Sequence, residues 1–451
     1  MDVQSLRSLR PELNGFLERY LPWFGREENR GHAAAFVHGL LDGGDRRNVE
    51  NIAERVDGPP VRTLQKFVSE GAWRDREVLD ELRRQVAAEL GDEGAVLNVD
   101  ETGFAKKGTK SVGVQRQYSG TLGRTDNCQV AVFVNYCSAK GHALIDRRLF
   151  LPQSWASDAA RRREAGVPDA AVFRTKPELA LAMVQDAAAA GVPFRWVGGD
   201  CVYGDSPGFV QGVRALGKTY VLDVSGHAYG WTEDPHPAPV ATGKAGRPRT
   251  RPTRRPRPVP EIAATLPASA WRQVTVAEGS QGPRVYEYAE VRVWFSEERR
   301  PAAKPERLLV RRSLGQEPTL KFQRSNAPTS AALAEVAAAG GCRWSVEQDF
   351  QSGKGECGLD EYETRGWVGW HHHTALSMLA LWYLTLQKRR LGGKTSPVDG
   401  AGSARRAADA AGGAAMGRSR DPLVVELAAT AQPRRRRVPS PTPRRRTPLS
   451  K

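Results

Sequence analysis

A mixed β-sheet with helices on both faces, following a helical N-terminal domain, is the α/β fold class this sequence predicts. The hydrophobic period changes from helical to alternating near Ala95, and the strands beyond it come first in antiparallel succession and then in alternation with helices. Two of those strands are short apolar runs that end in an acid, Ala95-Val-Leu-Asn-Val-Asp100 and Phe194-Arg-Trp-Val-Gly-Gly-Asp200, and both read as buried.

Residues 1–92 read as a helical domain. Leu13, Phe16, Leu17 and Leu21 recur at helical spacing, and further helices are predicted over 33–41, 49–56 and 63–70. Asp57-Gly-Pro-Pro60 separates the last two. With Arg46, Arg47, Arg62 and Lys66 nearby, the pair fits either a helix-turn-helix that lays its second member in a DNA groove or a small bundle with basic edges.

Residues 93–225 read as the first part of a sheet-based core. Strands are predicted at 95–100, 112–118 and 129–136, and through 149–151 after a turn at Lys140-Gly141. An alanine-rich helix over 178–190 follows, then the strand to Asp200, a helix over 206–216 and a strand over 218–224. Residues 226–325 read as an inserted β-rich unit with a Pro- and Arg-rich loop and strands at 285–295 and 307–312. Residues 326–392 return to helices as the second part of the core. Residues 393–451, rich in Gly, Ala, Ser, Pro and Arg, are expected to be a basic, largely disordered tail.

At 451 residues, 40% of them hydrophobic, the chain is long enough for more than one core. A formal charge of +16 points to a polyanionic partner, most readily nucleic acid, because each phosphate neutralised releases counterions. Part of that charge is local to the tail, in Arg434 to Arg437 and Arg444 to Arg446. Cys128, Cys137, Cys201, Cys342 and Cys357 form no CxxC pair, which argues against a structural zinc site or a disulfide framework and fits a reducing cytoplasm. No charged-then-apolar leader and no apolar run of the roughly 18 residues a span needs are present, so a soluble protein without a membrane partner is expected.

The most informative stretch is Arg343-Trp-Ser-Val-Glu347-Gln-Asp-Phe-Gln-Ser-Gly-Lys354, which reads as one amphipathic helix. At about 100° per residue, Arg343, Glu347 and Lys354 fall within roughly 40° of one another, with Gln351 at the edge of the stripe. Val346 and Phe350 on the flank would pin the helix to a core and leave the polar stripe at its rim. The bland account is a solvated face with a weak i,i+4 ion pair. A second apolar helix over 374–386 follows, and His371-His-His373 just before it reads as helix surface, not a metal site.

Asp100, Asp200 and Glu347 together would suit hard divalent cations, Mg²⁺ or Mn²⁺, if they converge at the sheet's edge, and two such ions can clamp both oxygens of a phosphodiester displacement. Each acid alone could equally cap a turn, and Thr102-Gly103 after Asp100 reads as such a turn.

With these residues in view, the chain resembles bacterial insertion-sequence transposases of the DDE superfamily, of the type with a tyrosine-arginine-glutamate-lysine signature. Here the signature runs Arg343, three residues, Glu347, six residues, Lys354. The resemblance takes in Asn98-Val-Asp-Glu-Thr-Gly-Phe104, Gly199-Asp-Cys-Val-Tyr-Gly204, Gly358-Leu-Asp-Glu-Tyr-Glu-Thr-Arg365 and Trp367-Val-Gly-Trp370, and so covers residues 10–390. It implies an RNase H-like core with the β-rich unit inserted before the third acid. It implies a DNA transposase, active at the nucleoid, that binds terminal inverted repeats of double-stranded DNA, pairs the ends as a homodimer, and cuts and rejoins strands into a target. Asp100, Asp200 and Glu347 would hold two Mg²⁺ (or Mn²⁺) ions, and Arg343 and Lys354 would hold DNA phosphates. Gly340 stands where the signature's tyrosine is expected. A catalytically decayed or domesticated DNA-binding regulator is the alternative.

Overall fold

In the computed structural model the strand-rich middle of the chain builds one mixed sheet, and apolar helices from both ends of the chain cover it. The structure describes residues 11–390 apart from 43, 45, 57, 121–122, 237–251, 253, 280–281 and 316. These belong to one compact unit, and the expected tail over 393–451 and most of the Pro- and Arg-rich loop lie outside the described residues.

After a helical stretch over 11–17, the helices α1 (Glu27–Leu41), α2 (Val49–Arg55), α3 (Val61–Ser69) and α4 (Asp75–Leu90) precede the sheet. Asn48 starts α2 by accepting from the Asn51 N–H, and Pro60, which has no N–H to leave unpaired, stands immediately before α3. Helix α3 turns Leu64, Phe67 and Val68 inward and leaves Arg62, Gln65 and Lys66 exposed.

The sheet opens with β1 (Val96–Ala105), β2 (Gln115–Ser119), β3 (Arg124–Ser138) and β4 (Gly141–Leu149), where β3 runs antiparallel to the other three. Helix α5 (Lys176–Ala189) begins with a capping box between Thr175 and Glu178 and leads to β5 (Trp196–Gly199). Helix α6 (Pro207–Ala215), capped by Ser206, then returns the chain to β6 (Thr219–Val224). Strands β1, β5 and β6 are parallel neighbours, with Val99 beside Gly199 and Gly199 beside Leu222. A helical return such as α6 is what a parallel pair requires.

The stretch read as β-rich supplies β7 (Tyr229–Trp231), β8 (Arg257–Pro258), β9 (Arg272–Gly279), β10 (Gly282–Glu297), β11 (Arg300–Pro301), β12 (Glu306–Arg312) and β13 (Leu320–Ser325). These continue the same sheet: β13 lies antiparallel to β6, with Gln323 opposite Asp223, and β12 and β10 follow outward. Helix α7 (Leu333–Gly341) is followed after only Cys342 and Arg343 by α8 (Trp344–Cys357), which stops at Gly358, a left-handed residue with φ 59°. Helix α9 (Trp367–Arg390) is the last described element.

Strand alternation decides which helix each acid meets. Asn98 faces α8 with its cross-strand partner Asn135, which donates to Asp349 on α8 at 2.6 Å and accepts from Ser345 at 2.7 Å. Asp100, two residues on, shares that face. Glu101 faces the other way and meets Lys176 at the start of α5 at 2.7 Å. Val346 and Phe350 are buried as the helical pattern predicts, Phe350 against Phe133 at a ring separation of 5.3 Å.

Two local expectations are corrected. Thr102 and Gly103 are not a turn: β1 continues past Asp100 to Ala105 because β3 pairs with it along that whole length. The histidine run is not helix surface either, since His372 and His373 are buried where α9 packs on the N-terminal helices and on the end of α8. Among the described residues no helix is long and apolar enough to cross a membrane.

Candidate active site

The parallel pairing of β1 with β5 runs from Val96 and Trp196 to Val99 and Gly199. Asp100 and Asp200 are the next residues on the two strands and so stand side by side, at the strand separation of about 4.8 Å. Asp223 follows Leu222 in the same register on β6 and extends the row. The Gly199-Asp-Cys-Val-Tyr-Gly204 motif suits this crowding: a side chain at Gly199 would come within 2.9 Å of Val99, and one at Gly204 would collide with the Asp223 carbonyl. Asp200 also does what strand-end acids commonly do, accepting from the Val202 N–H at 2.9 Å to start a short helical turn.

Helix α8 brings the other groups to this row. Arg343, at its N-terminal boundary, donates from Nη1 to Asp100 Oδ2 at 2.9 Å, lies 3.2 Å through Nη2 from Glu347 Oε1 and places Nε 3.8 Å from Asp223 Oδ2. The guanidinium is mostly covered, whereas the Glu347 side chain is 62% exposed. Lys354 crosses onto β1, donating to Thr102 Oγ1 at 2.8 Å and the Gly103 carbonyl at 3.1 Å, two and three residues beyond Asp100. Asp100 and Asp200 thus lie where the β1–β5 pairing ends, Arg343 and Lys354 reach β1 from α8, and Glu347 is linked to Asp100 through one guanidinium.

The electrostatics are those of crowded acids. Burial pushes the Asp100 carboxyl up to about 7; Arg343 opposes the rise and the negative charges of Asp200 and Glu101 add to it. Asp200 is raised as well, by burial and then by Glu101, with Asp223 contributing. Burial works against the charge of Arg343, yet Asp100, Asp223 and Glu347 hold its pKa above the ordinary value. Lys354 moves down because it is buried, with Asp360 opposing. Among the described residues no three His, Cys, Asp or Glu side chains form a ready-made metal cage.

Sequence reading missed Asp223 and Glu101. Asp223 was within reach: 218–224 was read as a strand after a helix, a right-handed return makes that strand the parallel neighbour of β5, and the acid after its apolar run then takes the next place in the row. Glu101 is held by Tyr203 at 2.8 Å and by Lys176, a pairing no local pattern announces.

Carboxylates gathered where the parallel pairing of β1 with β5 ends, with a base-acid-base helix beside them, place this chain among mixed α/β proteins whose acids cluster at one line across the sheet. The chain matches the family described as DDE superfamily endonuclease over residues 19–283, more than half its length, and belongs to that family. The matched segment includes Asp100 and Asp200 and ends before Glu347. The chain is also similar to a probable transposase for insertion sequence element IS701 from Microchaete diplosiphon, at 29% identity over 222 residues. That match covers 48% of this chain and 55% of the relative, so the chain spans about half the length of the curated relative it matches.

Proposed function

We propose that this protein is a DNA transposase that binds the terminal inverted repeats of its own element and catalyses metal-dependent cleavage and strand transfer by cut and paste. The observation that carries the reading is the row of Asp100 and Asp200 in register on parallel strands, with Glu347 joined to Asp100 through Arg343. The sheet order β4-β3-β1-β5-β6, with β3 antiparallel, is compatible with an RNase H-like core.

Oxygen donors alone suit a hard divalent cation, which would have to draw the three acids together, since they form no cage among the described residues. Asp100, Asp200 and Glu347 offer carboxylate oxygens, and burial, with neighbouring negative charge added, disfavours the ionised forms of Asp100 and Asp200, a penalty that a cation beside them would offset. Mg²⁺ or Mn²⁺, as two ions, would polarise the phosphodiester and activate the attacking oxygen. The three acids would hold the metal, and Arg343 and Lys354 would hold phosphates of the end being cut, Arg as a fork and Lys as a point charge. Thr102 and the Gly103 carbonyl pin Lys354 over β1, close to Asp100.

In the proposed organisation, residues 1–92 bind DNA, supported by Arg62 and Lys66 on the exposed face of α3. Residues 93–225 and 326–392 form the catalytic core, 226–325 the β-rich insertion, and 393–451 a basic tether for nonspecific DNA contact. The working form on paired ends is a homodimer in the cytoplasm, at the nucleoid.

The test uses the full chain and duplex DNA from the sequences flanking its coding region. Cleavage should require Mg²⁺ or Mn²⁺, and Asp100→Asn, Asp200→Asn and Glu347→Gln should each abolish it while end binding persists. Cutting that survives in chelator, or in any of the three variants, would sink the assignment. Binding by the parent without cleavage would leave a DNA-binding regulator.

A further inference from the structure

We propose that Asp223 is a further residue of this site, a positioning residue that, itself oriented by Gln323, holds Arg343 so that its two terminal nitrogens lie at Asp100 and Glu347. The proposal rests on the reading of Arg343 as a phosphate grip. A guanidinium offers its terminal nitrogens as a fork and its Nε at the inner edge. Here the fork faces Asp100 and Glu347, and Nε faces Asp223 at an ion-pair distance of 3.8 Å, too long for a hydrogen bond. If the terminal nitrogens turn to a phosphate, the inner edge still has Asp223 beside it, and the fork keeps its aim along the cleft.

What orients Asp223 is a cross-strand pair. Gln323 stands opposite it in the β6–β13 register and donates from Nε2 to Oδ1 at 2.8 Å, while Oδ2 is the oxygen nearest Arg343. Gln323 is only 3% exposed, so its amide is fixed by packing. Its place depends on Gly340: a Cβ there would lie 2.9 Å from Val221 Cγ1 and 3.0 Å from Gln323 Nε2. A tyrosine at 340 would displace the amide, so the departure from the signature at Gly340 and the Gln323–Asp223 pair are one arrangement. Were Asp223 only a partner for Gln323 within the sheet, its loss would lower stability and leave DNA handling alone.

The experiment measures Mg²⁺-dependent cleavage of the flanking-sequence duplex against DNA concentration for the full chain and for Asp223→Asn, Arg343→Ala and the double variant, with thermal unfolding of each. Asp223→Asn should raise the DNA concentration for half-maximal cleavage about tenfold, change the rate at saturating DNA by less, and add nothing once Arg343 is alanine. Asp223→Glu should restore part of the loss. Parent-like dependence on DNA in Asp223→Asn, or a defect that adds in full to that of Arg343→Ala, would overturn the proposal. Should Asp223→Asn fail to fold, Gln323→Leu, which keeps the charge and removes its orientation, must show the same shift in smaller degree or the proposal is rejected. Parent-like cutting by Arg343→Ala would remove the phosphate grip, and the positioning role with it, while the carboxylate variants would still decide the wider reading.

Discussion

Lys354 is the base whose task can be separated from the chemistry. Its ammonium is tied to Thr102 and Gly103 on β1, with the ring of Phe104 5.4 Å away, so it is fixed near the row of acids. In the proposed site a compact charge so placed holds a phosphate. Lys354→Ala should therefore weaken engagement of cleavable ends and slow cutting, with the dependence on metal concentration close to the parent's, whereas Glu347→Gln should keep end binding and lose cutting. Parallel binding and cleavage assays over a metal titration decide, and a Lys354→Ala protein that cuts like the parent would exclude Lys354 from the site. Arg343, Glu347 and Lys354 were legible in the sequence because helical geometry is local: a spacing of four or seven fixes a shared face. Asp223 was harder to see, since its partner Gln323 arrives beside it only after about a hundred residues, when the chain returns from the outer strands of the sheet to pair β13 with β6.

At the scale of elements, α8 is seated by polar groups as much as by apolar ones. Asp349, 2% exposed, accepts from Asn135 at 2.6 Å and pairs with His142 at 2.8 Å, and Ser345 bonds Asn135 one turn earlier. Burial disfavours the charged form of His142, but Asp349 outweighs it and raises the imidazole pKa. Asp349→Ala would leave buried partners without an acceptor and should cost about 3 kcal/mol in denaturant unfolding, with cleavage lost in proportion as Glu347 drifts from Asp100. A loss below about 1 kcal/mol, the scale of an exposed pair, would show that the seat is apolar. Sequence periodicity could find α8 but not this seat, because a buried Asp reads as solvent-facing. It also passed over α7, where Gly340 and Gly341 argue against a helix by propensity. Packing overrides that preference: a side chain at Gly341 would come within 2.9 Å of Val276 on β9.

At the scale of the molecule, α9 joins the N-terminal helices to the site. His372 faces the carbonyls of Val68 and Trp73 at 2.9 and 3.0 Å, and His373 bonds the carbonyl of Gly358, the residue that ends α8, at 2.8 Å. Burial pushes the His373 imidazole from its ordinary 6.5 down to about 4. Between those values the unfolded chain takes up a proton that the folded chain refuses, so stability is whole above the upper value and falls as pH drops toward the lower. This histidine's share is up to about 3 kcal/mol. Denaturant unfolding from pH 7 to 4 should show that decline, flatter in His373→Gln; equal slopes in the two proteins would remove His373 from the account. The pairing of β1 with its neighbours has a consequence for the molecules that fold wrongly. Side chains alternate along a strand, so a slip of β1 by one residue would present Val99 or Glu101 where Asp100 belongs and turn Asp100 toward the opposite face. Pairing errors thus erase the acid row instead of blurring it. If the acid row cuts DNA as proposed, this is a fail-safe: the misassembled fraction is silent, and only a correctly threaded sheet carries the site.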